Sequence, residues 1–200
     1  MRLLPFFIGV VFALSMPLAL ADHHGEEKGQ LSLVKSWKEY LSFKRKQKSF
    51  GVWAHEGKTT DVWEGIPAGL DYVSTFTSQL SADGTKILTS HIMQATDGTV
   101  LSTGSGMETW DPKKNKILAS SSGFDGGKLY AGLSELVGIN ETEARWRYTE
   151  TISGKTYEVL VTWKTEALDK MSQTLSRVED PDKVTVNEFA RKPRHTKTKR

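Results

Sequence analysis

Glu143-Ala144-Arg145-Trp146-Arg147-Tyr148-Thr149-Glu150-Thr151, a turn at Ser153-Gly154, and Tyr157-Glu158-Val159-Leu160-Val161-Thr162-Trp163 decide the fold class of this chain. In the first run Ala144, Trp146 and Tyr148 point one way, while Arg145, Arg147 and Thr149 point the other. In the second, Tyr157, Val159, Val161 and Trp163 share a face opposite Glu158 and Thr162. A period of two belongs to an extended strand, whose side chains alternate between the faces of a sheet. Two such strands around a Ser-Gly turn form a hairpin with one face of large residues.

The same pattern continues outward. Asp83-Gly84, Asp97-Gly98, Asp111-Pro112, Gly126-Gly127, Gly138 to Glu141 and Asp180-Pro181-Asp182 are further turn signals. They separate β-prone runs near 50–57, 71–81, 86–95, 99–109, 116–124, 128–137, 143–152, 156–165, 170–179 and 183–190. This is the spacing of an up-and-down meander, not of strands alternating with helices. About ten antiparallel strands leave exposed edges in an open sheet, and closing the sheet on itself removes them. The expected fold is therefore mainly β, an antiparallel barrel over 49–190. Gly104 and Gly106 lie inside a strand where a curving sheet bends.

The meander is preceded by different chemistry. Leu33, Val34, Trp37, Tyr40 and Leu41 recur at three- and four-residue steps, which predicts an amphipathic helix over 31–48 with Lys44, Arg45, Lys46 and Lys48 at its C-terminal end. Residues 22–30 form a polar leader. Arg2, the apolar run Leu3 to Leu14, and Ala19-Leu20-Ala21 have the layout of a secretory signal over 1–21, which places the protein outside the cytoplasm, secreted or periplasmic. No later run approaches the roughly 20 apolar residues of a membrane helix. The chain has no cysteine, so its core must hold without disulfides or a lipidated cysteine.

Charge is unevenly distributed. Residues 49–190 carry 13 Lys and Arg against 20 Asp and Glu, whereas 191–200 hold six basic residues and no acid. The tail has almost nothing apolar to bury and reads as a disordered basic arm. It lacks interleaved aromatics and the body is acidic, so no nucleic-acid partner is expected.

Phe50-Gly51-Val52-Trp53 follows the helix and opens the first strand. It resembles the G-x-W opening of lipocalins and their calycin relatives, in which the tryptophan plugs the closed end of the barrel and an arginine near the last strand packs over it. That resemblance implies a structural pair between Trp53 and Arg191 by cation–π contact. Trp53 to Gly57, Leu80 to Thr85 and Gly104-Ser105-Gly106-Met107-Glu108-Thr109-Trp110-Asp111-Pro112 are similar to the lipocalin-like domains of uncharacterised exported bacterial proteins. This likeness covers about Phe50 to Ala190 and implies a fold, not an activity. The last strand, Thr185-Val186-Asn187-Glu188-Phe189, lacks the Arg-x-Tyr carboxylate anchor of cytosolic fatty-acid binders.

No phosphate loop, zinc motif or nucleophile elbow occurs. His55 and His91 sit apart on separate strands. One metal site is conceivable: cleavage after Ala21 would leave Asp22-His23-His24, where the free amine, two backbone nitrogens and the His24 imidazole form a square-planar set for Cu(II). The leading functional reading is non-enzymatic binding of a small, mostly apolar molecule inside the barrel. Trp146, Tyr148, Tyr157, Trp163, Met93 and Met107 would line its wall, and Trp63 and Ile66 on the long 58–70 segment would form a lid. The alternatives are a filled barrel acting as a structural or protein-interaction module, and an isomerase or hydratase of the cone-shaped α+β type.

Overall fold

The computed structural model describes residues 30–60 and 65–193. Among the described residues one helix, α1 (Trp37–Lys46), precedes ten strands: β1 (Gly51–Lys58), β2 (Asp71–Leu80), β3 (Lys86–Ala95), β4 (Val100–Asp111) and β5 (Lys116–Asp125), then β6 (Lys128–Ile139), β7 (Glu143–Ile152), β8 (Lys155–Ala167), β9 (Lys170–Arg177) and β10 (Asp180–Arg191). Each strand pairs antiparallel with its neighbours in sequence, and β10 returns to β1 to close the barrel. The closing seam is short, with only Trp53↔Arg191 and Ala54↔Ala190 paired across it. Ten strands exceed the eight of lipocalin barrels.

The helix is shorter than the periodicity predicts. Ser36 caps it, its hydroxyl accepting from the Glu39 N–H at 3.2 Å, while the Glu39 carboxylate accepts from the Lys35 N–H at 2.8 Å. Upstream, the Ser32 backbone forms a β-bridge to Ile139, so that Leu33 stands in solvent. A cap and a bridge satisfy backbone groups that a longer helix would have taken. Among the described residues no helix is long and apolar enough to cross a membrane.

Strand direction assigns the loops to two ends. One end carries the β2–β3, β4–β5, β6–β7 and β8–β9 turns, and α1 lies across it. The Trp37 indole donates to the Gly84 carbonyl at 2.8 Å on the β2–β3 turn, and the Gln47 amide donates to the Glu141 carbonyl between β6 and β7. Tyr40 and Leu41 on α1 pack with Ile87, Ile117, Leu136, Ala144, Trp146 and Leu175 in one core cluster. Each fully buried side chain of this size contributes about 1.5–3 kcal/mol. A smaller cluster holds Trp53, Met171 and Phe189. The Arg191 guanidinium lies 4.3 Å from the Trp53 ring and donates to the Phe50 carbonyl at 2.8 Å. Gly51 has φ +136°, and a Cβ there would come within 2.6 Å of that guanidinium, so the first position of the G-x-W run admits no side chain.

Candidate functional site

At the other end lie the described parts of the β1–β2 connection, residues 59–60 and 65–70. Thr59 is buried at its neck and holds the two sides together: its hydroxyl donates to the Pro67 carbonyl at 2.5 Å and accepts from the Leu70 N–H at 2.9 Å. Thr60 reaches Thr185 of β10 at 2.9 Å between hydroxyls. By Gly65 the chain has arrived at the β5–β6 turn, half-way round the ring from β1, where a Cβ on Gly126 would lie 2.0 Å from the Gly65 carbonyl oxygen. Ile66 points inward and is 5 % exposed. Trp63 lies outside the described residues, as do His24 and the rest of residues 1–29.

Between this loop and α1 is a cavity of about 320 Å³. Its walls differ in character. On one side Phe76 stacks on Trp163 at 5.4 Å, and Trp163 meets Phe189 at 5.5 Å, giving an aromatic wall from β2, β8 and β10. The opposite side, from β3 to β7, is polar. His91 Nε2 lies 2.8 Å from the Ser102 hydroxyl, which donates to Asp125 at 2.5 Å. Tyr148 donates to Glu150 at 3.0 Å. Tyr130 stands over Gly104 and Tyr148 over Gly132, where a Cβ would meet their hydroxyl oxygens at 2.1 and 2.2 Å. These strand glycines make room for two phenols.

Electrostatics sharpen the contrast. Burial first, and the Asp125 charge second, push the Glu150 carboxyl up to about 7. Burial also raises Asp125, against the hydrogen bond from Ser102 that lowers it. The Tyr130 and Tyr148 phenols are driven upward by burial and then by these carboxylates, and burial lowers His91. A neutral His91 fits a chain in which Nε2–H donates to Ser102 and Ser102 donates to Asp125. The order is imidazole, hydroxyl, carboxylate, so the carboxylate orients the serine and not the histidine, unlike a hydrolytic triad. Among the described residues no three His, Asp or Glu side chains converge to hold a metal ion.

Trp146, Tyr148, Trp163 and Met93 all border the cavity. Tyr157 shares the inward register with Glu150, but it does not border the cavity, and Arg177 lies over its ring at 4.6 Å. Met107, which pairs with Leu88 and Ser120 and is 40 % exposed, also borders the cavity. His91, Ser102, Asp125, Tyr130 and Glu150 are the site residues that pattern reading missed. The signal for Glu150 was present, because it continues the Ala144, Trp146, Tyr148 series.

In comparison with known proteins, no family model and no curated protein matches the chain. The closed ten-stranded antiparallel barrel agrees with the broad calycin class of fold without placing the chain in a named family.

Proposed function

We propose that the protein is an exported, non-enzymatic barrel that holds a small, mostly apolar molecule in its interior. The observation that carries this reading is the cavity between α1 and the described ends of the β1–β2 loop, walled on one side by Phe76, Trp163 and Phe189. Its volume lies at the low end of ligand pockets, roughly 300–1,000 Å³. Titration with an environment-sensitive apolar dye tests it: saturable binding near one per chain, displaced by an apolar competitor, is expected. No saturable binding across a lipid, sterol and haem panel would leave the filled-barrel module. Export is checked by the intact mass of secreted material, which should begin at Asp22.

One observation favours a second reading. Glu150, hydrogen-bonded to Tyr148 and titrating near neutrality, is placed to exchange a proton with a bound molecule. Turnover of enolisable or hydratable carbonyl compounds that disappears in Glu150→Gln would support it over pure binding.

A further inference from the structure

The polar wall has unused capacity. Asp125 is 5 % and Glu150 3 % exposed, yet each spends only one carboxylate oxygen on a hydrogen bond, to Ser102 and to Tyr148. The second oxygens, Asp125 Oδ2 and Glu150 Oε1, have no hydrogen-bond partner among the described residues. Nor does the hydroxyl of Tyr130, which is 3 % exposed and borders the same cavity. Buried polar groups are nearly always paired, and a buried carboxylate without a countercharge is costly. Glu108, 9 % exposed, shows the contrast for a buried acid: it accepts from Tyr40 at 2.6 Å and from Lys44 at 3.3 Å.

We infer that the cavity takes an organic cation, a protonated amine whose N–H groups meet Asp125, Glu150 and the Tyr130 hydroxyl and whose apolar body lies against Phe76, Trp163 and Phe189. The inference rests on the binding function proposed above and supplies the ligand class. An ammonium group brings the donors and the positive charge that the polar wall lacks. The aromatic wall opposite takes a ring or short hydrocarbon chain by burial and by ring contact. A carboxylate ligand would meet like charge, and a purely apolar one would leave three polar atoms unsatisfied.

The groups facing Glu150 are Tyr148 on its own strand, Tyr130 on β6, Asp125 on β5, Tyr157 on β8 and Arg177 on β9, with His91 further round the wall. Only Arg177 among them is cationic, and it acts on Glu150 less than burial, Asp125 or Tyr148 does. A cation arriving beside Glu150 should therefore expel its proton near pH 7.

Calorimetry and tryptophan fluorescence with three probes of one shape test the inference: 2-phenylethylamine, 2-phenylethanol and 3-phenylpropanoate. The amine should bind at one per chain, and its apparent enthalpy should vary with the buffer's ionisation enthalpy as Glu150 releases its proton. The alcohol should bind more weakly by about tenfold to a hundredfold, the range of a hydrogen bond to a charged group. The propanoate should not bind. Asp125→Asn and Glu150→Gln should each weaken the amine by about tenfold while leaving the alcohol unchanged. Removal of an uncompensated acid leaves both variants folded, which their melting curves check. Equal affinity for amine and alcohol, or amine binding untouched by both variants, overturns the cation inference and leaves the binding barrel standing. If the apolar dye binds and none of the three probes does, the cation inference also fails alone. If the dye fails as well, the binding function falls with it.

Discussion

The two ends of the barrel are closed in different ways. At the α1 end the closure is a capped helix, its aromatic and aliphatic side chains are buried in the main core cluster, and the buried acids there are matched, Glu108 by Tyr40 and Lys44 and Glu143 by Arg145. At the loop end the closure is a connection held by Thr59 and Ile66, above two acids and a phenol with hydrogen-bonding capacity to spare. The difference separates stability from function along one axis. Buried acids are matched within the protein at the α1 end, where Ser78 Oγ is the one buried side-chain polar atom left unpartnered among the described residues, and face the cavity at the loop end, where a ligand can supply what is missing.

Truncation at the closed end should produce the largest effect. Trp53 is 1 % exposed, stacked by Arg191, and its indole donates to the Ser49 carbonyl at 3.1 Å. Trp53→Ala should cost about 3–5 kcal/mol of stability, read by denaturant titration. A variant that melts like the parent would show that the α1 end is not where stability resides. Tyr40→Phe should cost less, about 1–3 kcal/mol, because it leaves a buried oxygen of Glu108 short of its donor while keeping the packing.

The loop end should respond with the opposite sign. Folding raises the Glu150 carboxyl from 4.5 to about 7, so the native state binds the proton more tightly than the unfolded chain does. The contribution of this group is at its most favourable below pH 4.5 and is lost as pH rises through 7. Glu150→Gln should accordingly match the parent at pH 4 and exceed it at pH 8 by of order 1–3 kcal/mol. Thermal melts across that window decide it. A variant less stable than the parent at pH 8 would mean that the carboxylate is satisfied in the native protein and that the two ends are alike.

How much of this was legible in the sequence follows from what alternation can report. Trp146, Tyr148 and Trp163 fall on the inner face because a strand period of two leaves large residues no other buried place. Parity is a weaker guide on β4: Gly104, Gly106 and Glu108 form one face and Met107 belongs to the other with Ser105, yet Glu108, Ser105 and Met107 all border the cavity. Asp125 was hidden because an acid beside Gly126-Gly127 resembles an ordinary turn residue, and only closure of the ring carries it inside. Glu150 carries the right parity, continuing the series of Ala144, Trp146 and Tyr148, but a strand end so rich in Thr and Glu looks solvated. The short helix illustrates the converse, since Leu33 and Val34 continue the periodicity and tertiary pairing of Ser32 with Ile139 overrides it.

The smallest effect on global stability is expected in the loop itself, and it is the one that tests whether the loop end opens. Ile66 is the buried apolar anchor of the 65–70 stretch, and among the described residues the segment meets the barrel at the Thr59 neck, the Thr60–Thr185 contact and the close approach of Gly65 to Gly126 and Lys128. Such a segment can open without the strands, with a free energy well below that of global unfolding. Ile66→Ala removes apolar contact from the closed position alone. The loss should appear as faster amide exchange in residues 65–70 and faster dye release, with the global melting transition nearly unchanged. Trp53→Ala should do the reverse, lowering the melting point while leaving exchange in the loop close to that of the parent under native conditions. If Ile66→Ala instead lowers the global transition as far as a core truncation, by about 2–5 kcal/mol, the loop is part of the cooperative core and the barrel is closed at both ends by the same means.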